Sequence, residues 1–138
     1  MSKIPDIYTD GSCLKNPGGA SGWAFGVLEN GEEWFMSGGE ESSTNNRMEL
    51  VAIIEALNFV QGCEYNIYTD SNLTLKCAKK EWKRKSNIDL WFMFDEISEK
   101  KKLNWFWVKS HNGNKYNEIV DKLAKNEAKI IKNKNLVQ

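Results

Sequence analysis

The tetrapeptide Ile-Tyr-Thr-Asp occurs twice in this chain, once ending at Asp10 and once ending at Asp70. Each copy is rich in β-formers and passes directly into turn-forming residues. If the two strands lie side by side and parallel, their backbones are about 4.8 Å apart. Both aspartates then project from the carboxyl edge of one sheet, where open α/β sheets bind ligands. Two carboxylates this close repel each other unless a proton or a metal ion lies between them.

Hydrophobic periodicity and turn residues predict the element order β-β-β-α-β-α-α-β-α. The predicted strands are Ile4–Asp10, Trp23–Glu29, Glu33–Gly38, Tyr65–Asp70 and Leu103–Val108, with a loop over Gly11–Gly22 and a hairpin turn at Asn30-Gly31. The predicted helices are Met48–Val60, Leu73 into the Lys79–Lys85 stretch, Asp89 to about Lys100, and Tyr116–Ile131. This order indicates an α/β fold with a five-stranded mixed β-sheet flanked by α-helices. We expect a single domain over residues 1–138, with a frayed tail from about residue 133.

Composition excludes several classes of protein. No apolar run approaches the length of about 18 residues that is needed to span a membrane. Because the first residues lead directly into a strand, we expect no signal peptide. Cys13, Cys63 and Cys77 are odd in number and widely spaced, so they form no zinc pattern. We predict free thiols and a cytoplasmic location.

The net charge is zero, but the charges are unevenly distributed. Residues 1–70 contain three Lys/Arg and eleven Asp/Glu, whereas residues 71–138 contain sixteen and eight. This asymmetry predicts separate acidic and basic surfaces on one molecule, the second of which suits a nucleic-acid partner. For the run Lys100-Lys101-Lys102 we prefer a solvated face without a partner.

Glu49 and Asp121 are two further acids in unusual positions. Glu49 shares a predicted helix face with apolar residues, where burial without a partner is costly. Asp121 flanks the apolar stripe of the last helix. Each acid also has a simpler interpretation. The helix dipole stabilises a glutamate near a helix N-terminus, as at Glu49, and Asp121 can pair with Lys125 at i+4. Aspartates at the ends of strands commonly form turns. The repeated strand-ending aspartate favours a common site, because four carboxylates suit magnesium and a pair of ions about 4 Å apart serves phosphoryl displacement.

Several motifs make the chain resemble the bacterial type-1 ribonuclease H family. They are Asp10-Gly11-Ser12-Cys13, Asn16-Pro17-Gly18, Thr44-Asn45-Asn46-Arg47-Met48-Glu49-Leu50, Thr69-Asp70-Ser71, Trp107-Val108-Lys109-Ser110-His111 and Asn117-Glu118-Ile119-Val120-Asp121. The resemblance implies a metal-dependent endonuclease that hydrolyses the RNA strand of RNA–DNA hybrids, leaving 5′-phosphate and 3′-hydroxyl ends. It assigns Asp10, Glu49, Asp70 and Asp121 to two Mg²⁺ ions, for which Mn²⁺ substitutes.

The resemblance also assigns roles around these acids. His111, the only histidine, is given to proton transfer or product release; its alternatives are a structural role and a Ser-His-Asp nucleophile, for which no Gly-x-Ser-x-Gly elbow is present. Contacts to the hybrid are implied for Asn16, Asn45, Asn46 and Asn72, and a phosphate contact for Thr44. Short amides of this kind read the 2′-hydroxyl that distinguishes RNA from DNA, and they also form turns. Asn72 is shorter than the glutamine frequent in the family.

Residues 76–85, which we call the basic segment, contain six Lys/Arg, Glu81 and Trp82. Basic residues interleaved with an aromatic suit a nucleic-acid backbone, so we predict substrate contacts from Lys80, Trp82, Lys83 and Arg84, with Lys79 in the same electrostatic set. Trp82 is equally compatible with a core anchor. The longer basic protrusion of well-known bacterial members is expected to be absent here.

Two other functions remain open on sequence grounds. One is a binding module without activity on the same fold, and the other is a related nuclease or integrase acting on DNA. With the enzyme hypothesis we expect an RNA–DNA hybrid as the substrate, no membrane association and a monomer.

Overall fold

The structure, a computed structural model, describes residues 3–137, with side chains through residue 135. Five strands form one mixed sheet in the order β3-β2-β1-β4-β5. The strands are β1 (Asp6–Cys13), β2 (Ser21–Glu29), β3 (Glu32–Glu40), β4 (Glu64–Thr69) and β5 (Lys102–Trp107). The first three strands pair antiparallel, and β4 and β5 run parallel to β1. The predicted fold class and element order are confirmed. The predicted Asn30-Gly31 hairpin turn is also confirmed, and both of its residues adopt positive φ.

The sequence predicted that the first strand ends at Asp10, but β1 continues to Cys13. Antiparallel pairing with β2 continues to Cys13, opposite Ser21. Parallel pairing with β4 stops earlier, at Tyr8 opposite Tyr68. The predicted loop over residues 11–22 therefore shrinks to 14–20. At Asp10, β1 still pairs with β2 but no longer with β4, and this leaves a gap between β1 and β4 at the carboxyl edge of the sheet.

The four helices are α1 (Asn45–Phe59), α2 (Asn72–Ala78), α3 (Ile88–Ser98) and α4 (Lys115–Val137). Helix α1 starts three residues earlier than predicted because Thr44 caps it, its side chain accepting from the Arg47 N–H at 3.1 Å. Helix α2 ends at Ala78, and the prediction that it continues into residues 79–85 is wrong. Lys80 adopts a left-handed conformation with φ of 61°, which a helix does not accommodate. Residues 79–87 connect α2 to α3 without a helix or strand.

Alternating residues of the central strands face two helical layers. Ile7, Phe25 and Ile67 pack in the core formed with α1 and α3. Tyr8 and Ala24 point the other way and pack on Val120 and Ala124 of α4. Gly22 allows this helix to approach closely, because a Cβ at Gly22 would collide with the Ala124 carbonyl. The sheet thus has α1 and α3 on one face and α4 on the other, with its carboxyl edge between them.

The sequence predicted a frayed tail from about residue 133, a stretch that belongs to the last helix. Helix α4 continues through Val137, and position 138 lies outside the described residues. No glycine or proline interrupts this stretch, and lysines in a last turn favour a helix. Within residues 3–137, no helix is both long and apolar enough to cross a membrane. The three cysteines are free, as predicted.

Candidate active site

Three carboxylates from three elements meet at the carboxyl edge of the sheet. Asp10 comes from β1, Glu49 from α1 and Asp70 from the residue that follows β4. Each offers an oxygen, and these oxygens lie within 4.8 Å of one another. We call Asp10, Glu49 and Asp70 the carboxylate cluster. The structure therefore brings together three of the four acids that the sequence singled out.

The cluster depends on a close contact between α1 and β1. Gly11 follows Asp10, and a Cβ at this position would collide with the backbone of Met48 and Glu49. Without a side chain at Gly11, the second turn of α1 packs directly on the strand. Glu49 then reaches Asp10, although α1 and the Asp10 side chain lie on different faces of the sheet.

Asp121 lies beside the cluster on α4. Its Oδ2 accepts from Lys125 Nζ at 3.1 Å, the i+4 pair that the sequence offered as an alternative. Its negative charge nevertheless acts on both Asp10 and Asp70. The two interpretations of Asp121 are therefore compatible, because one carboxylate oxygen pairs with lysine while the residue flanks the cluster.

Burial and mutual repulsion raise the pKa of every carboxyl in the cluster. Burial raises the pKa of Asp10 to about 8, with the charges of Asp70 and Asp121 adding to the effect. Burial also raises the pKa of Glu49 well above its usual range, and the negative charge of Asp10 raises it further. The pKa of Asp70 is raised by burial and by Asp121, while the charge of His111 lowers it. Such shifts are typical of sites where charge must be neutralised by a proton or a cation.

The cluster fits a hard divalent cation. Glu49 Oε2 is buried and has no hydrogen-bond partner among the described residues. A buried carboxylate oxygen without a donor is costly, and a cation would satisfy it. Oxygen donors in this number are the ligands that Mg²⁺ takes from proteins.

Asn117 is a residue of the site that the sequence analysis did not select. It lies one turn before Asp121 on α4 and is only 2% exposed. Its amide is close enough to Asp70 to lower the pKa of that carboxyl, although Nδ2 has no partner of good geometry within residues 3–135. The available signal was its i−4 spacing from Asp121, which places both residues on one helix face.

Trp107 also acts on Asp70 and was not predicted. It ends β5, and its indole Nε1–H donates to the Asp70 carbonyl at 3.2 Å. Asp70 lies beyond the last register pair of β4 and β5, which joins Thr69 to Trp107. The indole therefore holds the backbone of Asp70 where the strand ladder has ended. No sequence pattern indicated this contact.

His111 lies on the exposed loop between β5 and α4, as predicted from its polar neighbours. Its φ is 55°, in the left-handed region. The loop places its charge near Asp70, where it lowers the pKa of the carboxyl.

The predicted hybrid contacts gather at the start of α1. Asn45 and Asn46 are exposed in its first turn, and the Asn45 N–H donates to Asn16 Oδ1 at 3.2 Å. Thr44 uses its hydroxyl as the helix cap. Asn72 is exposed at the start of α2, directly after Ser71 and the cluster residue Asp70. The short amides thus border the carboxylates, whether they serve turns, contacts or both.

The basic segment presents fewer free cations than its composition indicates. Lys76 and Lys79 both pair with Glu81, at 2.9 and 3.1 Å. In the described part of the chain, Lys80 and Lys83 are exposed and take part in no ion pair. Trp82 is 47% exposed, so the alternative of a core anchor is wrong. A cavity of about 580 Å³ lies between this segment and the start of α1. Asn46, Trp82 and Lys83 are among the residues that line it.

Arg84, for which the sequence predicted a substrate contact, makes several contacts within the protein. Its side chain is 14% exposed and pairs with Asp95 at 2.7 Å. Nε–H donates to the Cys77 carbonyl at 2.9 Å, and the guanidinium lies over the Trp91 ring at 4.2 Å. The group is therefore engaged inside the protein, where it ties residues 79–87 to α2 and α3.

Comparison with known proteins identifies the family. The RNase H family matches residues 3–129. This chain belongs to the RNase H family. It is 46% identical over 134 residues to the ribonuclease H of Campylobacter jejuni, covering 89% of this chain and 90% of that protein. The family membership makes the protein a nuclease, and its carboxylate cluster is consistent with metal-dependent hydrolysis.

Solved structures of RNase H proteins share the fold. The N-terminal RNase H domain of a Mycobacterium tuberculosis protein superposes with a TM-score of 0.83 at 20% identity, covering 96% of this chain and 98% of that one. LC11-RNase H1, solved in complex with an RNA/DNA hybrid, superposes with a TM-score of 0.79 at 21% identity, covering 91% and 97%.

Proposed function

We propose that this protein cleaves the RNA strand of RNA–DNA hybrids internally, leaving 5′-phosphate and 3′-hydroxyl ends, with two Mg²⁺ ions as cofactors. The observation that carries the proposal is the carboxylate cluster, in which two buried acids and one half-buried acid repel one another unless a cation joins them. Membership of the RNase H family supports the reaction class. The hybrid substrate is supported by LC11-RNase H1, a protein of the same fold that binds one.

Asp10, Glu49 and Asp70 would hold the ions, with Asp121 at the margin; we propose that Mn²⁺ substitutes for Mg²⁺. When bound, such ions supply an activated water and stabilise the leaving 3′-oxygen. The protein itself contributes rigid placement of the oxygens, because β1, α1 and the end of β4 are all fixed by the core. It also excludes water from one side of Asp10 and Glu49, which strengthens electrostatic interactions there.

His111 is proposed to move a proton or to assist release of the product. The residue is exposed on a loop that brings its charge near Asp70, so it reaches the site without being locked in it. A general acid–base at this position adds typically 10²–10⁴-fold to a rate. Its exposure argues against a purely structural role.

Recognition of the hybrid is proposed for two adjoining surfaces. Asn16, Asn45, Asn46 and Thr44 lie beside the carboxylates and suit the sugar edges of a minor groove, where the 2′-hydroxyl marks the RNA strand. Asn72 follows Asp70 by two residues and starts α2. Trp82 and Lys83 line the cavity, and Lys80 is exposed two residues before Trp82; these three side chains suit a phosphate backbone. Arg84 is left out of this set because its guanidinium is engaged internally.

We further propose that the chain acts as one domain and as a monomer in the cytoplasm. The sheet joins elements from β1 to β5 into one core, and the three free cysteines suit a reducing compartment.

A single assay with three labelled substrates tests the proposed function. The same sequence is prepared as RNA–DNA hybrid, duplex RNA and duplex DNA, each strand is end-labelled in turn, and cleavage is followed in Mg²⁺ and in chelator. We expect Mg²⁺-dependent cuts within the RNA strand of the hybrid alone. Binding of the hybrid without cleavage in Mg²⁺ or Mn²⁺ would indicate an inactive binding module. Cleavage of duplex DNA would indicate the related DNA nuclease.

A further inference from the structure

Three aromatic rings stack across neighbouring strands directly below the carboxylates. Tyr8, Tyr68 and Phe106 are register partners on β1, β4 and β5. The Tyr8 and Tyr68 rings are 4.5 Å apart and nearly parallel, and the Tyr68 and Phe106 rings are 4.9 Å apart with an angle of 17°. We call these residues the aromatic stack. Its geometry is fixed by the backbone ladder, because each ring is held at a set register position.

The stack is closed at one end and open at the other. Tyr8 is buried, and Tyr116 of α4 packs against it at 5.4 Å. Phe106 lies on β5, the edge strand, and is 43% exposed. A flat ring therefore ends the stack, with its outer side open. Isolated exposed apolar residues are common in proteins, but a ring that is held rigid in a stack is prepared to receive one more ring.

The open ring lies close to the carboxylates. Tyr68 precedes Asp70 by two residues and so lies on the same face of the sheet, about 7 Å along the strand. One strand further across, Phe106 is about 8 Å from Asp70 between Cα atoms, by the same strand geometry. On that face of β5, Lys102 precedes Phe106 by four residues, and its Nζ lies 3.8 Å from Glu64 Oε2, so it supplies no unpaired cation next to the ring. An exposed flat ring held this close to the carboxylates is a platform on which an unpaired base of single-stranded nucleic acid can stack.

The position also indicates which strand would reach the stack. Asn45, Asn46 and Trp82, which are proposed to hold the duplex, come from α1 and the segment after α2, whereas Phe106 lies on the α4 face of the sheet. A strand that passes the carboxylates and continues onto this face is the strand that is cut, which is RNA under the proposed function. A paired base is already stacked in the duplex, so the occupant must be unpaired.

We propose that Phe106 stacks an unpaired base of single-stranded RNA that extends from the hybrid, so that RNA-tailed hybrids bind more tightly than blunt ones. The proposal rests on the proposed function and narrows its substrate class. Stacking of a base on an aromatic side chain contributes about 1–3 kcal/mol. We therefore expect a gain of about 5-fold or more in affinity from a short RNA tail, since 1.4 kcal/mol is a factor of ten.

The test compares binding of matched hybrids by fluorescence anisotropy in chelator, where binding is read without cleavage. The hybrids are blunt, extended by a few RNA nucleotides at the 5′ or the 3′ end of the RNA strand, or extended by a few DNA nucleotides at an end of the DNA strand. Wild type should prefer an RNA tail at one of the two ends and gain nothing from a DNA tail. Phe106→Ala and Phe106→Leu should lose this preference, whereas Phe106→Trp should keep it, because only a flat ring stacks.

A matched control is Phe92→Ala, which removes a phenylalanine that is 65% exposed on α3, on the other side of the sheet. This variant should bind like wild type. Unchanged cleavage of blunt hybrid in Mg²⁺ by Phe106→Ala would show that the variant is folded. Equal affinity of wild type for blunt and RNA-tailed hybrids, an equal gain from a DNA tail, or a preference retained in Phe106→Ala would overturn the proposal. Failure of wild type to cleave any hybrid counts against the proposed function and leaves the binding comparison intact.

Discussion

At the scale of single residues, the unusual feature of Asp10 is that its close neighbours are other acids. A buried carboxylate is normally paired with a cation or with several N–H donors. Asp10 accepts from the Gly11 N–H at 2.9 Å but otherwise faces Glu49, Asp70 and Asp121. Burial and these neighbouring acids raise the pKa of Asp10 to about 8, which favours its protonated form when no cation is bound. This predicts that the site costs stability unless a cation occupies it.

We expect the stability of the metal-free protein to fall as pH rises from about 4 to about 8. The folded protein binds a proton at Asp10 with a pKa of about 8, whereas the unfolded chain releases it near 3.8, so folding takes up protons in this window. Asp10→Asn should flatten the slope and increase the free energy of unfolding at pH 8 by on the order of 2 kcal/mol. Denaturant unfolding in chelator measures both effects, with the exposed Glu96→Gln as control. A wild-type stability that rises through this window would contradict the pKa assignment.

Asn117 should act on the reaction through Asp70. Asn117→Ala removes the amide that faces this carboxyl and should lower activity by about 10–100-fold, the usual cost of losing a group that orients a metal ligand. The Mg²⁺ concentration for half-maximal cleavage should rise, which a purely structural defect would not cause. Asn126→Ala, at an exposed position of the same helix, is the control. An unchanged Mg²⁺ midpoint in Asn117→Ala would exclude the positioning role.

At the scale of elements, periodicity predicted the order of strands and helices but not where some of them end. Strand β1 continues past Asp10 because β2 supplies a partner up to Cys13, and pairing is not visible in local sequence. Helix α2 stops because Lys80 adopts a left-handed conformation, for which lysine gives no signal. The repeat located Asp10 and Asp70, and helix spacing located Glu49 and Asp121. Trp107 was not found, because its contact joins the side chain of one strand to the backbone that follows another.

The segment between α2 and α3 should depend on Arg84 for its position. Arg84→Lys keeps the charge but cannot donate to the Cys77 carbonyl and Asp95 together while lying flat on Trp91. We expect a loss of about 1–3 kcal/mol in the free energy of unfolding, against about 0.5 kcal/mol or less for Lys83→Ala at an exposed position nearby. Thermal or denaturant unfolding measures this difference. Stability equal to wild type, accompanied by weakened hybrid binding, would instead restore Arg84 as a substrate contact.

At the scale of the whole molecule, zero net charge conceals a separation of acidic and basic sequence. Within the described residues, the basic half places exposed lysines outside ion pairs at Lys80 and Lys83, and Lys83 lines the cavity that also reaches Asn46. Part of the basic segment is neutralised by Glu81, so its electrostatic contribution is smaller than the count of six Lys/Arg indicates. The binding of a polyanion should therefore depend on a few positions.

Charge reversal at two of these positions tests that account. The double variant Lys80→Glu and Lys83→Glu should weaken hybrid binding and reduce the slope of log affinity against log salt, by up to about 0.9 for each phosphate that the variant no longer neutralises. Reversal of Lys132, exposed near the end of α4, is the control. Unchanged affinity with an unchanged salt slope would remove the basic segment from the binding surface.

The central claim is that the carboxylate cluster holds the cation on which cleavage of the RNA strand depends. The most direct measurement is the rate of RNA-strand cleavage in an RNA–DNA hybrid as Mg²⁺ is titrated, with wild type, Asp70→Asn and the control Glu96→Gln side by side. We predict that wild type and Glu96→Gln cleave only when Mg²⁺ is present. Asp70→Asn should show no cleavage while remaining folded and able to bind hybrid. Cleavage by wild type in chelator, or near wild-type cleavage by Asp70→Asn, would contradict the account.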